Sequence, residues 1–169
     1  MKINLSRLLD RTVYKIDFDQ TMELGEVIVN QRQLELVSPV RIKGDVYKTD
    51  DGTYLSADII YEYSENCARC LKEFTNRVQT VLSGRLMEKS KSFDQQNDEE
   101  LIVYYDGDEV ELKEQVIAAI LLSLPMKSIC DEACKGLCTS CGKDLNEGQC
   151  DCLIEDIDPR LAKLKDLFD

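Results

Sequence analysis

Apolar and polar positions alternate with a period of two through much of the first half of the chain. Between Leu34 and Tyr47 the apolar residues Leu34, Leu36, Val40, Ile42 and Val46 hold the even positions, while Arg41, Lys43 and Asp45 point the other way. Successive side chains of a strand face opposite sides, so this stretch predicts one half-buried strand. The Asp-Gly of "TDDGT" predicts a hairpin turn. Beyond it Leu55, Ala57, Ile59, Tyr61 and Tyr63 share one face of a second strand. A third follows "CARC", with Phe74, Val78, Leu82 and Leu86 inward and Arg77, Gln79, Ser83 and Arg85 outward. Shorter strands near Val13–Phe18 and Leu101–Tyr105 are expected to join the sheet.

The period changes after a polar, charged stretch, Glu88–Glu100, which reads as a loop. Val116, Ile120 and Leu124 recur at helical spacing, with Leu112, Ile117 and Leu121 beside them. They predict a helix that is apolar on most faces, stops at Pro125 and covers the dry side of the sheet. Asp108, followed three residues later by Glu111, reads as its capping box. A last helix is expected from Asp158-Pro159, with Leu161, Leu164 and Phe168 as a narrow apolar stripe. The predicted class is α+β: a long-stranded antiparallel meander, able to curl into a barrel, covered by one buried helix. Residues 1–126 are assigned to sheet and helix. Residues 127–169 are assigned to a Cys-rich, zinc-ribbon-like module with the last helix, packed as one unit with the first part.

At 169 residues and 43% hydrophobic content the chain can bury the core of about one domain. No signal peptide is legible in "MKINLSRLLDRTVYK", and the longest apolar run, Val116–Met126, is about half the roughly 20 residues that span a bilayer. A cytoplasmic protein without membrane partners is expected, and in that reducing compartment cysteines are metal ligands more often than disulfides.

Eight cysteines make that expectation matter. Their spacing is Cys67-x2-Cys70, Cys130-x3-Cys134-x3-Cys138-x2-Cys141 and Cys150-x-Cys152. Two intervening residues let both sulfurs of a pair turn toward one ion, and Gly142 supplies a permissive backbone directly after the second pair. Cys138, Cys141, Cys150 and Cys152 form a compact four-thiol set suited to a structural zinc ion. Cys67, Cys70, Cys130 and Cys134 form a second set, which would staple the hairpin tip to the end of the helix. One or two zinc ions are expected. Iron–sulfur ligation and free or disulfide-bonded thiols are the alternatives. Cys67 and Cys70 could instead serve as small buried hydrophobes, and pairing of Cys67 and Cys70 with Cys138 and Cys141 would serve a metal equally well.

Catalysis is not expected. The chain has no histidine, which removes the commonest general base, and no glycine-rich phosphate loop. Four cysteines close the position that a catalytic zinc keeps open. No small-molecule substrate is indicated. A thiol-redox or zinc-responsive role is the competing reading, although "CARC" joins two strands instead of opening a helix.

The formal net charge of −12 opposes long-range attraction to phosphate backbones. Locally the sign reverses, since Arg69–Lys91 carries six basic and two acidic residues. Arg41, Lys43, Arg69, Lys72, Arg77 and Arg85 are the candidates for an RNA- or partner-binding face; an ordinary solvated sheet face is the plainer reading.

The order of "CARCLKEF", "LPMKSICDEACKGLCTSCGKDLN" and "DPRLAKLKDLF" resembles the bacterial YceD family, also called the large ribosomal RNA subunit accumulation protein family. The matching residues are Cys67, Arg69, Cys70, Gly136, Leu137, Cys138, Cys141, Gly142, Asp158, Pro159, Arg160 and Leu161. The resemblance implies a cytoplasmic, non-enzymatic factor acting in accumulation or processing of large-subunit rRNA, with rRNA or a ribosomal protein as partner. It supplies no catalytic residue, and zinc rests on the eight cysteines themselves.

Overall fold

A computed structural model describes residues 1–10, 13–29, 32–91 and 101–152. In chain order the elements are β1 (Lys2–Asn4), α1 (Ser6–Leu9), β2 (Lys15–Met22), β3 (Glu26–Val29), β4 (Arg32–Leu36), β5 (Val40–Lys48), β6 (Thr53–Asn66), β7 (Glu73–Glu88), β8 (Ile102–Tyr105), β9 (Glu109–Glu111) and α2 (Lys113–Ser123). The alternating pattern of β6 and β7 produces a long ribbon, paired from Thr53 opposite Leu86 to Asn66 opposite Glu73. Its inward faces are those the alternation marks: Leu55, Ala57, Ile59, Tyr61 and Tyr63 are buried on β6, and Leu82 and Leu86 on β7.

The other edge of β6 is shared between two strands. β5 pairs with residues 53–60 and β4 with Tyr63 and Ser64. The single strand expected over Leu34–Tyr47 is therefore broken, because Pro39 has no N–H to give to a ladder. Leu36 faces Tyr63 whereas Arg41 faces Ile60, so the Val37–Pro39 break inserts two residues relative to the partner. An even insertion preserves the side-chain phase, and Leu34, Val40, Ile42 and Val46 all remain in the core.

β2 extends the sheet beyond β5, and β3 beyond β4. Gly44 of β5 lies opposite both Phe18 and Ala57, and a Cβ there would fall 2.2 Å from the Ser56 carbonyl oxygen. This close approach admits only glycine. On the far side β8 runs parallel to β7, which corrects the wholly antiparallel expectation. A parallel neighbour needs a crossover of about a dozen residues, and the polar Glu88–Glu100 stretch has that length. The sheet is open: its ladders end at β2, β3 and β8, and no pairing among the described residues joins these edges into a barrel.

The N-terminus carries structure that the sequence pattern concealed. β1 pairs with β9 as a separate two-stranded sheet, and Ile3, Leu5 and Leu8 enter the main core. This corrects the capping-box reading. Glu109–Glu111 is strand, and α2 starts at Lys113 after Leu112, with no side-chain cap. The Asp108 carboxylate instead accepts the Ser6 hydroxyl at 2.6 Å, and its carbonyl accepts the Leu5 N–H at 2.7 Å.

α2 lies over the ribbon with Val116, Ala119 and Ile120 buried. The Tyr61 hydroxyl reaches Ser123 Oγ at 2.7 Å, so the buried ring keeps its polar tip satisfied. Leu122 stays 88% exposed; the helix covers the sheet with one face only. The helix expected from Asp158 lies outside the described residues.

Candidate metal centre

The turn between β6 and β7 carries Cys67 and Cys70. The Cys67 N–H donates to the Lys72 carbonyl (2.9 Å) and the Leu71 N–H to the Cys67 carbonyl (2.9 Å). The same turn recurs in the C-terminal segment, where the Cys138 N–H donates to Lys143 (2.8 Å) and Gly142 to Cys138 (2.9 Å). In each, the residue after the second cysteine is left-handed, Gly142 at φ 73° and Leu71 at φ 60°. Leucine there costs about 1–2 kcal/mol, and it is the only non-glycine with positive φ among the described residues.

After α2 the chain doubles back along the first turn. The Ala68 N–H donates to the Ser128 carbonyl at 2.8 Å, and buried Ser128 lies 3.3 Å from the Tyr63 hydroxyl. This course delivers Cys130 and Cys134 to Cys67 and Cys70, and the four Sγ atoms lie within 4.8 Å of one another. Cys138, Cys141, Cys150 and Cys152 converge in the same way. The Cys67–Cys134 sulfurs are 3.9 Å apart and the Cys70–Cys130 sulfurs 3.7 Å. Four thiolates about 2.3 Å from a central ion form a tetrahedron with edges of about 3.8 Å, whereas a disulfide needs about 2.05 Å. The donor set fits an ion of zinc size, and all eight thiols are free.

Charge is distributed unevenly within each group. Burial pushes the Cys67 thiol up, but N–H groups of Cys70, Cys130 and Arg69 outweigh it and bring it down to about 6. The Cys141 and Ser140 N–H groups hold Cys138 down at about 6. Burial pushes Cys130 up to about 12, and the Cys141 thiol with burial does the same to Cys152. Each group thus sets one thiol held down at about 6 beside one pushed up to about 12, and a thiol of the second kind must release its proton when it takes a cation.

Two of the basic residues expected to face RNA are engaged here. Arg69 Nη1 donates to the carbonyls of Glu132 (3.0 Å) and Cys134 (2.8 Å), holding the Cys130–Cys134 loop. Lys72 Nζ pairs with Asp144 (2.9 Å) and Glu147 (2.6 Å), which raises its pKa through hydrogen bonds to both carboxylates. On the wet face of the sheet, Arg41 grips Asp19 through two hydrogen bonds of 2.6 and 3.0 Å, and Lys43 sits opposite Asp19 in register. Arg77 lies 3.8 Å from Glu62, and Arg85 donates to the Asp51 carbonyl at 2.8 Å. Asp17, Asp45 and Asp58 add further carboxylates to that face.

Asn146 is a residue the sequence reading missed. Its Oδ1 accepts the Lys135 N–H at 2.7 Å, and its Nδ2 lies 3.5 Å from Cys134 Sγ. In sequence it is one more polar loop residue, and its only signal is its place in "GKDLN".

A sheet whose hairpin tip holds one four-thiol group, with a second in the segment that follows, defines a small β-rich protein with paired candidate metal centres. The chain belongs to the YceD family, described as "Large ribosomal RNA subunit accumulation protein YceD", whose model matches residues 55–168. An uncharacterised Mycobacterium bovis protein is 30% identical over 146 residues, covering 78% of this chain and 70% of its own length. The uncharacterised protein YlbN of Bacillus subtilis is 27% identical over 169 residues, covering 99% and 96%. The chloroplastic large ribosomal RNA subunit accumulation protein YCED homolog 1 of Arabidopsis thaliana is 36% identical over 59 residues, 35% of this chain and 18% of the plant protein. No solved structure matches the chain. Among the described residues no helix is long and apolar enough to cross a membrane.

Proposed function

We propose that this protein is a non-catalytic accessory factor of large ribosomal subunit biogenesis, active in the cytoplasm, that supports accumulation of large-subunit rRNA by binding. The observation that carries this reading is the family match, which runs from β6 through both cysteine groups. The name of the plant relative points the same way.

The two groups are proposed to hold structural zinc, on the strength of the 3.7 and 3.9 Å sulfur spacings. Bound zinc would supply a closed tetrahedral crosslink with no open position for substrate. Arg69 and Lys72 then act within the protein, fastening residues 127–152 to the sheet so that both parts work as one unit. The remaining cations share the wet face with carboxylates, and the chain carries −12 overall. This balance favours a basic ribosomal protein over bare rRNA as the direct contact, since an acidic chain attracts a cationic partner.

Crosslinking in cells, followed by sequencing of bound RNA and identification of bound proteins, tests the reading. Large-subunit rRNA or its ribosomal proteins are expected; their joint absence overturns the assembly role. Reversing Arg77 and Arg85 to Glu separates the contacts, because loss of rRNA crosslinks with retained protein crosslinks would place RNA on the sheet face after all. Metal analysis of protein purified without added metal is expected to return one to two zinc ions per chain, and a metal-free, fully folded protein refutes the zinc scaffold.

A further inference from the structure

We infer that the two four-thiol groups load cooperatively, and that Asn146 is the positioning residue that couples them. This inference rests on the metal reading above and concerns how one group prepares the other.

Residues 136–145 form a small hairpin: Leu137 bridges Asp144, the Cys138 N–H donates to Lys143, and the Leu145 N–H donates to Gly136 at 2.9 Å. The tip of this hairpin is the Cys138–Cys141 turn, so gathering the second group of thiolates fixes the tip. Both legs end at the first group. Cys134, a member of that group, stands at the head of the incoming leg, and Asn146 at the foot of the outgoing one.

The orientation of the Asn146 amide is decided by its neighbours. The Lys135 N–H must meet an acceptor, so Oδ1 faces it, and Nδ2 is left to donate toward Cys134 Sγ and to Asp144 Oδ1 at 2.7 Å. Cys134 is only 6% exposed, and water cannot readily replace that donor. The legs are also tied to the first turn: Leu137 N–H donates to the Arg69 carbonyl at 3.1 Å, and Lys72 holds Asp144 and Glu147. A hydrogen bond to a ligating sulfur stabilises its thiolate form, and loss of such an outer partner lowers metal affinity by about 10–100-fold. Closing the hairpin around the second group therefore sets the donor that the first group needs, and by reciprocity the first favours the second.

Native mass spectrometry of the reduced, metal-free chain titrated with zinc reads this directly. The wild type is expected to pass from no ion to two, with the one-ion species a minor component at one equivalent. In Asn146→Ala and Asn146→Asp the one-ion species is expected to dominate at that point, with the second ion bound about 10-fold more weakly. The aspartate variant keeps the acceptor for Lys135 and loses both Nδ2 hydrogen bonds, to the sulfur and to Asp144, while the alanine variant loses them without adding a carboxylate. Lys72→Met, which loosens the legs while keeping the amide, is expected to show a smaller effect in the same direction. A dominant one-ion species in the wild type overturns the proposal, as does an aspartate variant that loads like the wild type. A wild type that stays metal-free at every ratio instead overturns the underlying metal reading, and the mass spectrum distinguishes that result at once.

Discussion

Stripping metal from the reduced chain is expected to unfold residues 130–152 while the sheet stays folded. Ordering that segment costs about 35 kcal/mol at about 1.5 kcal/mol per residue. Apart from cysteines, its apolar cluster has only Phe74, Ile129 and Leu137, each partly buried and together worth about 5 kcal/mol. The remaining deficit of about 30 kcal/mol matches two structural zinc sites at about 10–16 kcal/mol each. The main core, in contrast, contains none of the eight cysteines. Hydrogen exchange with and without chelator provides the assay. Amides of Cys138, Gly142 and Leu145, which donate at 2.8–2.9 Å within the hairpin, should lose at least about 100-fold of protection. Amides of the β6–β7 ladder should keep theirs. Hairpin amides that stay protected in protein verified to be metal-free would refute the reasoning.

Four substitutions probe the frame. Ile59→Ala, at a fully buried position on the central strand, should lower unfolding free energy by about 3 kcal/mol, and a urea titration giving less than 1 kcal/mol would contradict the packing. Gly44→Ala should cost at least about 2 kcal/mol in the same assay, because the new Cβ meets the Ser56 backbone oxygen; a neutral result would mean that β5 and β6 are spaced differently. Gly142→Ala should cost about 1 kcal/mol by backbone strain alone, since nothing lies within 4 Å of the added Cβ. Leu71→Gly, at the equivalent left-handed position, should be neutral or stabilising by thermal denaturation, and a clear loss would show that the leucine side chain matters there.

What the sequence by itself determined was local. The period of two assigned the dry and wet faces of β5, β6 and β7, and the period of 3.6 found α2. The x2 spacings picked out both cysteine turns, including the glycine that makes the second one easy. These signals are legible because they depend on residues within a few positions of one another. The tertiary structure decided everything that needed a distant partner. Val110 alternates like a strand residue, but only Ile3, at the other end of the chain, makes it one. The basic residues looked available until Asp19 and Glu62 were brought beside Arg41 and Arg77 on the wet face, and Asp144 and Glu147 beside Lys72 at the first cysteine turn. An open sheet and a barrel share one alternation pattern, since periodicity says which face is dry and not which strand lies next to it. Asn146 shows the same limit at the metal centre: its chemistry comes from the sulfur it reaches, and a folded hairpin is what carries it there.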